Sequence, residues 1–256
     1  MDGRQWKEAV QRMVADYVKH YQEENHLPNL WRTPLVGYAD ANDPYIQSLP
    51  QIITEVHKQP GDFMVNPRVV ISYFIPFTEE LARTNAGKES HEASMEWARA
   101  YDTTNTMMAE LNIYLAQEII KLGGRAVVPE GVGMLKDIIK SNWSQRHLAY
   151  AAGLGTFGIN NMLITAKGCC GRYNSIVADI PVEPEHRKEQ ENCLYKSRGI
   201  CRKCVKNCFS GALTTEGIDR KKCYETCKKN EEKLGAEVCG KCDTDIPCAF
   251  TAPGIG

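Results

Sequence analysis

Residues 201–213 read CRKCVKNCFSGAL, and this stretch decides what the second half of the chain can be. Its three cysteines follow the spacing C-x2-C-x3-C and lead into a turn of small residues. Eight of the 11 cysteines, all between Cys193 and Cys248, can be sorted into two sets of four. At this density, in a sequence that begins without a secretion signal, thiols favour metal binding over disulfide formation.

The spacing matches the second half of a bacterial ferredoxin run, in which cysteine thiolates hold iron–sulfur clusters. The full bacterial run has a further cysteine three residues upstream and a proline after the last one. This sequence has Arg198 and Phe209 at those positions. Cys193 is the nearest cysteine that can supply the missing ligand, and it would do so from a longer loop.

In two-cluster ferredoxins, the last cysteine of each run binds the other cluster. Applied to this chain, that rule predicts two [4Fe–4S] clusters with crossed ligands. The first cysteine set is Cys193, Cys201, Cys204 and Cys248. The second cysteine set is Cys208, Cys223, Cys239 and Cys242. Cys169, Cys170 and Cys227 remain, and Cys227 lies one helical turn after Cys223, which it can replace as a ligand.

A zinc site is the alternative interpretation of the same residues. Cys201 and Cys204 together with Cys239 and Cys242 form two C-x2-C pairs, which satisfy one tetrahedral zinc ion. That interpretation leaves four other cysteines of the region without a role. Iron–sulfur clusters are therefore favoured, and because they move single electrons they indicate a redox function.

Length and composition indicate a soluble globular protein. A chain of 256 residues with a hydrophobic fraction of 43% suggests one large domain, or one with a small appendage. The longest apolar stretches, such as residues 69–77, have the length of a strand rather than of a membrane helix. The charged N-terminus has no apolar signal segment. We expect a cytoplasmic protein without a membrane partner.

The net charge of −1 conceals a basic segment. Residues 186–241 carry 14 Lys and Arg against 8 Asp and Glu. Two interpretations stay open: the cations offset the charge of anionic thiolate clusters, or they form a docking face for an acidic electron donor such as a ferredoxin or flavodoxin. Nucleic-acid binding is not expected, because the basic residues are not interleaved with aromatic ones and the isoelectric point is 6.6.

The pattern of apolar residues and of breakers predicts an α+β fold. Predicted helices cover residues 5–24, 43–57, 91–122 and 143–152. Predicted strands cover residues 34–39, 68–77, 125–129, 162–165 and 175–180. Beyond residue 180 the sequence becomes charged and rich in cysteine. We therefore predict a layered domain over residues 1–182 and a cysteine-rich module over residues 183–256, packed on each other.

A glycine-rich segment, WSQRHLAYAAGLGTFG at residues 143–158, is the other unusual stretch. Its G-x-G-x-x-G spacing is a poor dinucleotide signal, because the glycines close a predicted helix instead of opening one after a strand. Two interpretations stay open. The glycines form a helix C-cap with a tight turn, or they let the backbone approach a large cofactor.

The sequence RHLAYAAGLGTFG at residues 146–158, followed by two four-cysteine sets, resembles the epoxyqueuosine reductase and reductive dehalogenase superfamily. PLVGYA at 34–39, WARAY at 97–101 and CGKC at 239–242 resemble its short epoxyqueuosine reductase-like branch. The resemblance covers most of residues 30–250. It implies a nitroreductase-like domain that binds a corrinoid, cobalamin, and a C-terminal module like a ferredoxin with two [4Fe–4S] clusters.

The resemblance also implies which residues contact the corrinoid. They are Trp143, His147, Tyr150, Gly153, Gly155, Thr156, Phe157 and Gly158. No D-x-H-x-x-G motif is present, so we expect the corrinoid to be bound base-off without a histidine ligand to cobalt. Tyr101, on the long predicted helix, is the candidate catalytic acid, with Tyr73 and Tyr150 as alternatives.

One departure from the family pattern argues against queuosine synthesis itself. The queuosine enzymes carry a catalytic aspartate about fifteen residues before the Ala-Gly-Leu-Gly segment. This chain has IIKSNW at residues 138–143, and Asp137 lies two residues too early. The C-terminal helical repeats that help to hold tRNA in that family are also missing from this sequence.

The sequence therefore predicts a corrinoid-dependent reductase that passes electrons through two [4Fe–4S] clusters to cobalamin for the reductive cleavage of a small substrate. Two alternatives remain. The first is an electron-transfer partner that reactivates a separate corrinoid protein and has no substrate of its own. The second is a zinc-binding interaction module.

Overall fold

The computed structural model describes residues 1–87 and 89–254, and over these residues the fold mixes helices with a central antiparallel sheet. The strands are β1 Leu35–Asp40, β2 Val69–Pro76, β3 Arg125–Val127, β4 Met134–Leu135, β5 Lys140–Ser141, β6 Gly155–Phe157, β7 Leu163–Thr165 and β8 Gly171–Asp179. The central sheet has the strand order β1-β2-β8-β3, and β4-β5 and β6-β7 form two small hairpins.

Nine α-helices are found in the described part of the chain. They are α1 Gly3–Glu24, α2 Pro44–Gln47, α3 Leu49–Ile52, α4 Glu79–Thr84, α5 Met95–Lys121, α6 Gln145–Ala151, α7 Leu194–Arg198, α8 Lys203–Asn207 and α9 Arg220–Leu234. None of these helices combines the length and apolar character needed to cross a membrane. The last three helices belong to the cysteine-rich tail.

The sheet forms around β2, whose eight residues are all buried. The continuous apolar run of this strand follows from its central place, because both of its faces are covered by helices. Val69, Ile71 and Tyr73 pack with α1 and α5 on one face. Val70 packs with α6 on the other face. The helices α5 and α6 thus lie on opposite faces of the sheet.

The long helix α5 begins four residues later than predicted, because Ser94 caps it. The Ser94 hydroxyl accepts a hydrogen bond from the backbone N–H of Trp97, and the backbone of Ser94 is extended. The helix then runs for 27 residues to Lys121, close to its predicted end at the glycine pair. Leu111 and Leu115 on its inner face are fully buried.

The prediction of one helix over residues 43–57 is wrong. Asp43 caps the N-terminus as expected, but the helix ends at Gln47, and the separate helix α3 follows from Leu49. Pro50 explains the interruption, because proline has no backbone N–H to donate to the carbonyl of Ile46. That carbonyl instead accepts a hydrogen bond of 3.3 Å from the Gln59 side chain.

The glycine-rich segment contains a helix C-cap, as one of its two interpretations states, and a hairpin follows it. After α6, residues 155–157 form β6 and pair with β7, so the segment continues as a hairpin. Gly153 has a φ of +70°, as a left-handed residue after a helix requires. The predicted helix over residues 143–152 begins only at Gln145.

The cysteine-rich tail packs directly on the layered part of the chain. The backbone N–H groups of Cys169 and Cys170 donate to the carbonyls of Cys248 and Ala249, at 2.9 and 3.0 Å. A side chain at Gly240 would meet the Trp97 indole at 2.4 Å. The two parts are thus in contact at more than one place. The boundary predicted at residues 182 and 183 stays a prediction, and Lys88 and residues 255–256 lie outside the described residues.

Replacing Leu111 by alanine should destabilise the protein by about 2–5 kcal/mol, because it leaves a cavity where α5 meets the sheet. Leu111 is fully buried, whereas Ile113 on the same helix is 53% exposed and provides a matched control. We expect Ile113→Ala to change the free energy of unfolding by less than about 0.5 kcal/mol. Anaerobic urea denaturation measures both, and equal midpoints for the two variants would contradict this packing.

Candidate functional site

The structure brings the first cysteine set together around one small cavity. Cys193 is the N-cap of α7, Cys201 and Cys204 flank the start of α8, and Cys248 comes from the far end of the tail. The residues that line the cavity are Ile159, Asn160, Cys193, Leu194, Cys201, Cys204, Ile246, Pro247, Cys248 and Pro253. Burial raises the pKa of the Cys204 thiol to about 12. In the fold, Cys248 therefore lies beside the three earlier cysteines of the first set.

The second cysteine set also groups in space. The electrostatic neighbours of the Cys239 thiol include Cys223 and Cys208, and burial raises its pKa to about 11. The neighbours of Cys242 include Cys239 and Cys223, together with Cys204 of the first set. The two sets are thus adjacent. The Cys208 sulfur also accepts a hydrogen bond of 3.4 Å from the backbone N–H of Leu213.

Each set has one additional cysteine at its edge. Cys227 lies one turn after Cys223 on α9 and hydrogen-bonds to it, which lowers the pKa of Cys223 to about 7. Cys169 is fully buried and hydrogen-bonds to Cys248. Over residues 1–87 and 89–254, no three His, Cys, Asp or Glu side chains converge tightly enough to hold a single metal ion.

The turn after Gly158 lies between the two sets. The Asn160 side-chain amide donates a hydrogen bond of 2.9 Å to the carbonyl of Cys242, and Asn160 also lines the cavity of the first set. Arg146 on α6 donates to the carbonyl of Asn161 at 2.8 Å. The same short turn therefore ties α6 to the cysteine-rich tail.

Arginine side chains lie near the cysteines of the second set. Burial lowers the pKa of Arg146, and the neighbouring cations Arg220 and Arg172 lower it further. Arg146 and Arg220 also act on the Cys223 thiol and favour its thiolate form. Sequence reasoning did not assign these arginines a role. The position of Arg146 at the start of the glycine-rich motif was the available signal.

Tyr101 lies at a free edge of the sheet. β2 pairs with residues 171–178 of β8, whereas β3 pairs only with residues 177–179, so within the described residues the start of β8 has a strand on one side only. Arg172, on this stretch, places its guanidinium 4.1 Å from the centre of the Tyr101 ring. We call this place the β8 edge site.

Two pairs of polar side chains lie along the start of β8, one beside α5 and one beside α6. Arg172 donates to the Asn105 side chain of α5 at 2.9 Å, and Gln145 of α6 donates to Asn174 of β8 at 2.9 Å. The Nε atom of Arg172 is buried and has no hydrogen-bond partner among the described residues. A buried donor without a partner is costly, and this atom is one of seven buried side-chain atoms without a partner in the described part of the chain.

A separate cavity of about 540 Å³ collects some of the residues predicted to bind the corrinoid. The residues lining it are Asp43, Tyr150, Thr156, Phe157, His186, Arg187, Lys188, Glu189, Glu191 and Lys196. The rings of Tyr150 and Phe157 are 5.6 Å apart and offer an apolar wall. Tyr101 does not line this cavity, so the structure does not bring the predicted catalytic residue and these residues together.

The other residues predicted to bind the corrinoid are used within the protein. The Trp143 indole is buried and donates to the Ser175 hydroxyl at 3.0 Å. His147 packs 4.8 Å from the Phe157 ring, and burial lowers its pKa to about 4, so its imidazole is neutral at physiological pH.

The glycines of the motif are likewise accounted for by internal packing. A Cβ atom at Gly155 would meet the backbone carbonyl of Ile164 at 2.1 Å, and one at Gly153 would meet that of His186 at 2.5 Å. At Gly158 it would meet the Asn160 side chain at 2.6 Å. These close approaches are made to the protein itself, so the pairing of β6 with β7 is sufficient reason for glycine at position 155.

Solved structures share this fold, although no protein-family model and no curated protein matches the sequence. An epoxyqueuosine reductase from Bacillus subtilis aligns with a TM-score of 0.52 and 16% identity, over 94% of this chain and 66% of that chain. The enzyme from Streptococcus thermophilus aligns with a TM-score of 0.56 and 15% identity, over 91% of this chain and 66% of that chain. A reductive dehalogenase described in connection with B12-dependent dehalogenation has a TM-score of 0.55 and 15% identity.

The chain therefore has the fold of epoxyqueuosine reductases and reductive dehalogenases, and the predicted resemblance to that superfamily is confirmed at the level of the fold. It spans 66% of the length of the two reductases and 29% of the length of the dehalogenase. Activity, substrate and partners of this protein do not follow from a shared fold.

Cys227→Ser and Cys223→Ser form a matched pair that tests the second set. We expect Cys227→Ser to retain about eight irons per chain and Cys223→Ser to fall to about four, because only Cys223 is predicted to bind a cluster. Iron and sulfide analysis of anaerobic protein measures both. The opposite result would make Cys227, which contacts Cys223, the ligand.

Proposed function

We propose that this protein is an iron–sulfur oxidoreductase that uses two [4Fe–4S] clusters to deliver electrons to a corrinoid, for the reductive cleavage of a small substrate. The observation that carries the proposal is the crossed grouping of the cysteines. Cys248 lies with the early cysteines around one cavity, and Cys208 lies beside Cys239. This exchange is typical of two-cluster ferredoxin modules.

Each cysteine set would hold one cluster as thiolates. The clusters supply one-electron transfer when bound. The donor set fits this role, because each set offers four sulfur ligands, and the backbone N–H of Leu213 already points at the sulfur of Cys208. Hydrogen bonds to the sulfurs and nearby charges set the reduction potential of such centres. A cytoplasmic location, where thiols stay reduced, belongs to the same proposal.

The positions of the arginines favour one order in which the two cysteine sets would pass on an electron. Positive charge near a cluster stabilises the additional electron that reduction brings. Arg146 and Arg220 act on Cys223 of the second set, and Arg146 is also an electrostatic neighbour of Arg172 at the β8 edge site. We therefore place the first set on the side of the electron donor and the second set on the side of the substrate.

We place the corrinoid at the β8 edge site rather than in the 540 Å³ cavity. The support for the edge site is the unpartnered Nε of Arg172, together with the side-chain amides of Asn105 and Asn174, whose oxygens accept hydrogen bonds from Arg172 and Gln145. Arg146 connects this region to the second cysteine set. Cobalamin supplies reductive bond cleavage when bound.

Tyr101 would hold the proton that the substrate receives. Its ring lies under the Arg172 guanidinium at 4.1 Å, and this cation–π contact would hold the ring in place at the β8 edge site. The phenolic O–H group of Tyr101 would donate the proton. Tyr73, an alternative acid, is fully buried and donates to the Asn112 side chain at 2.7 Å, as expected for a structural tyrosine.

Cobalamin binding tests the proposed location. We expect Arg172→Gln to weaken cobalamin binding at least about tenfold, because a hydrogen bond from a charged donor contributes about 1.5–3 kcal/mol. Phe157→Ala, in the 540 Å³ cavity, should leave the affinity unchanged. The measurement is the change in absorbance when cobalamin is added to anaerobic protein of verified cluster content.

Two outcomes would contradict this account. Loss of binding in Phe157→Ala but not in Arg172→Gln would move the corrinoid to the cavity lined by Tyr150, Thr156 and Phe157. No binding by the wild-type protein with full clusters would favour the alternative, an electron-transfer protein that reactivates a separate corrinoid protein.

A further inference from the structure

We propose that the exposed surface around Ile200 is where a small acidic protein carrying a one-electron centre docks and reduces the cluster of the first cysteine set. We call it the Ile200 surface and define it by Arg198, Ile200, Arg202 and Lys206. The inference rests on the proposed function, since it assumes that the first set holds a cluster.

Ile200 is the apolar centre of this surface. Its residue is 70% exposed, whereas Cys201, the next residue, lines the cavity of the first set. Gly199 ends α7 with a φ of +71°, and this left-handed turn directs the following residue outward. A Cβ atom at Gly199 would meet no described atom within 4 Å, so the turn faces open space.

A partner that covered the exposed Ile200 side chain would gain free energy from its burial. Burying such a side chain contributes about 1.5–3 kcal/mol. Apolar residues surrounded by charged ones are the usual composition of a transient protein interface. A partner that covered Ile200 would lie one residue away from Cys201, a predicted cluster ligand. Electron transfer requires such a short distance between the two centres.

Cations surround Ile200. Arg198, Arg202 and Lys206 are all exposed. Arg202 and Lys206 lie four residues apart and share one side of α8, where the backbone N–H of Lys206 donates to the carbonyl of Arg202 at 3.0 Å. Lys203 between them is paired with Asp245 at 2.9 Å. The net charge of the surface is therefore positive, and it complements an acidic partner.

The electron step is a simple transfer. The partner's reduced centre loses one electron, and the oxidised cluster held by the first set gains it. No atom or proton needs to move. The order proposed for the two sets then carries the electron onward to the second set, beside Arg146 and Arg220.

The basic helix α9 offers a matched comparison. Lys221 and Lys229 on this helix are exposed as well. Their helix carries Cys223 of the second set, so reversing their charges tests whether any basic surface of the tail is sufficient. The variant K221E/K229E reverses two charges, the same number as R202E/K206E.

Stopped-flow reduction by a reduced acidic [2Fe–2S] ferredoxin tests the proposal. We expect the double variant R202E/K206E to lower the second-order rate constant at least about tenfold at low salt, and K221E/K229E to change it less than about twofold. The difference should shrink at physiological ionic strength, where the Debye length is about 8 Å. Dithionite, a small reductant, should reduce the clusters of all three proteins to the same final extent.

Ile200→Ser separates the apolar contact from the charges. We expect it to slow reduction by ferredoxin at low and at physiological salt alike, because an apolar contact is not screened. If K221E/K229E slows reduction as much as R202E/K206E does, the docking site is overturned. It is also overturned if neither double variant slows reduction. A wild-type protein that assembles no clusters overturns the proposed function as well, and iron analysis distinguishes this from a failed docking site.

Discussion

Eight of the nine thiols in the last third of this chain lie in two adjacent groups, and this grouping is the constraint on which the rest of the structure depends. Burial raises the pKa of Cys204, Cys239 and Cys242, so unligated thiols there are held in their neutral form. Metal binding requires thiolates and therefore couples to folding. Because Cys248 lies with the early cysteines, a cluster at the first set would connect the two ends of the tail.

The tail in turn determines where chemistry can occur. It contacts β8 through Cys169 and Cys170, and it contacts α5 through Gly240 and Trp97. These contacts bring the second cysteine set toward Tyr101 and Arg172. In the proposed function, the layered part of the chain would provide the β8 edge, and the tail would provide electrons. Separate functions are thus combined by direct packing.

Much of this arrangement could be predicted from the sequence, because the signals are local. The unbroken apolar run of β2 and the long periodic pattern of α5 were predicted with small errors at their ends. The cysteine sets followed from ligand spacing. The structure agrees with this grouping, although the ligands themselves remain a prediction.

The remaining features depend on contacts that spacing does not reveal. Pro50 divides the expected helix because a single N–H is missing, and the pairing of Gly155 with Thr165 extends the glycine segment into a hairpin. The contact of Tyr101 with Arg172 joins residues 71 positions apart, from α5 and β8. The residues predicted to contact the corrinoid shared one motif, yet some of them support the core.

The most direct test of the crossed clusters is electron paramagnetic resonance of three reduced variants, Cys201→Ser, Cys248→Ser and Cys239→Ser. Each should lose one cluster and retain about four irons. We predict that Cys201→Ser and Cys248→Ser retain the same cluster, with identical spectra, and that Cys239→Ser retains the other. A Cys248→Ser spectrum identical to that of Cys239→Ser, or wild-type protein that contains zinc without sulfide, would contradict the account.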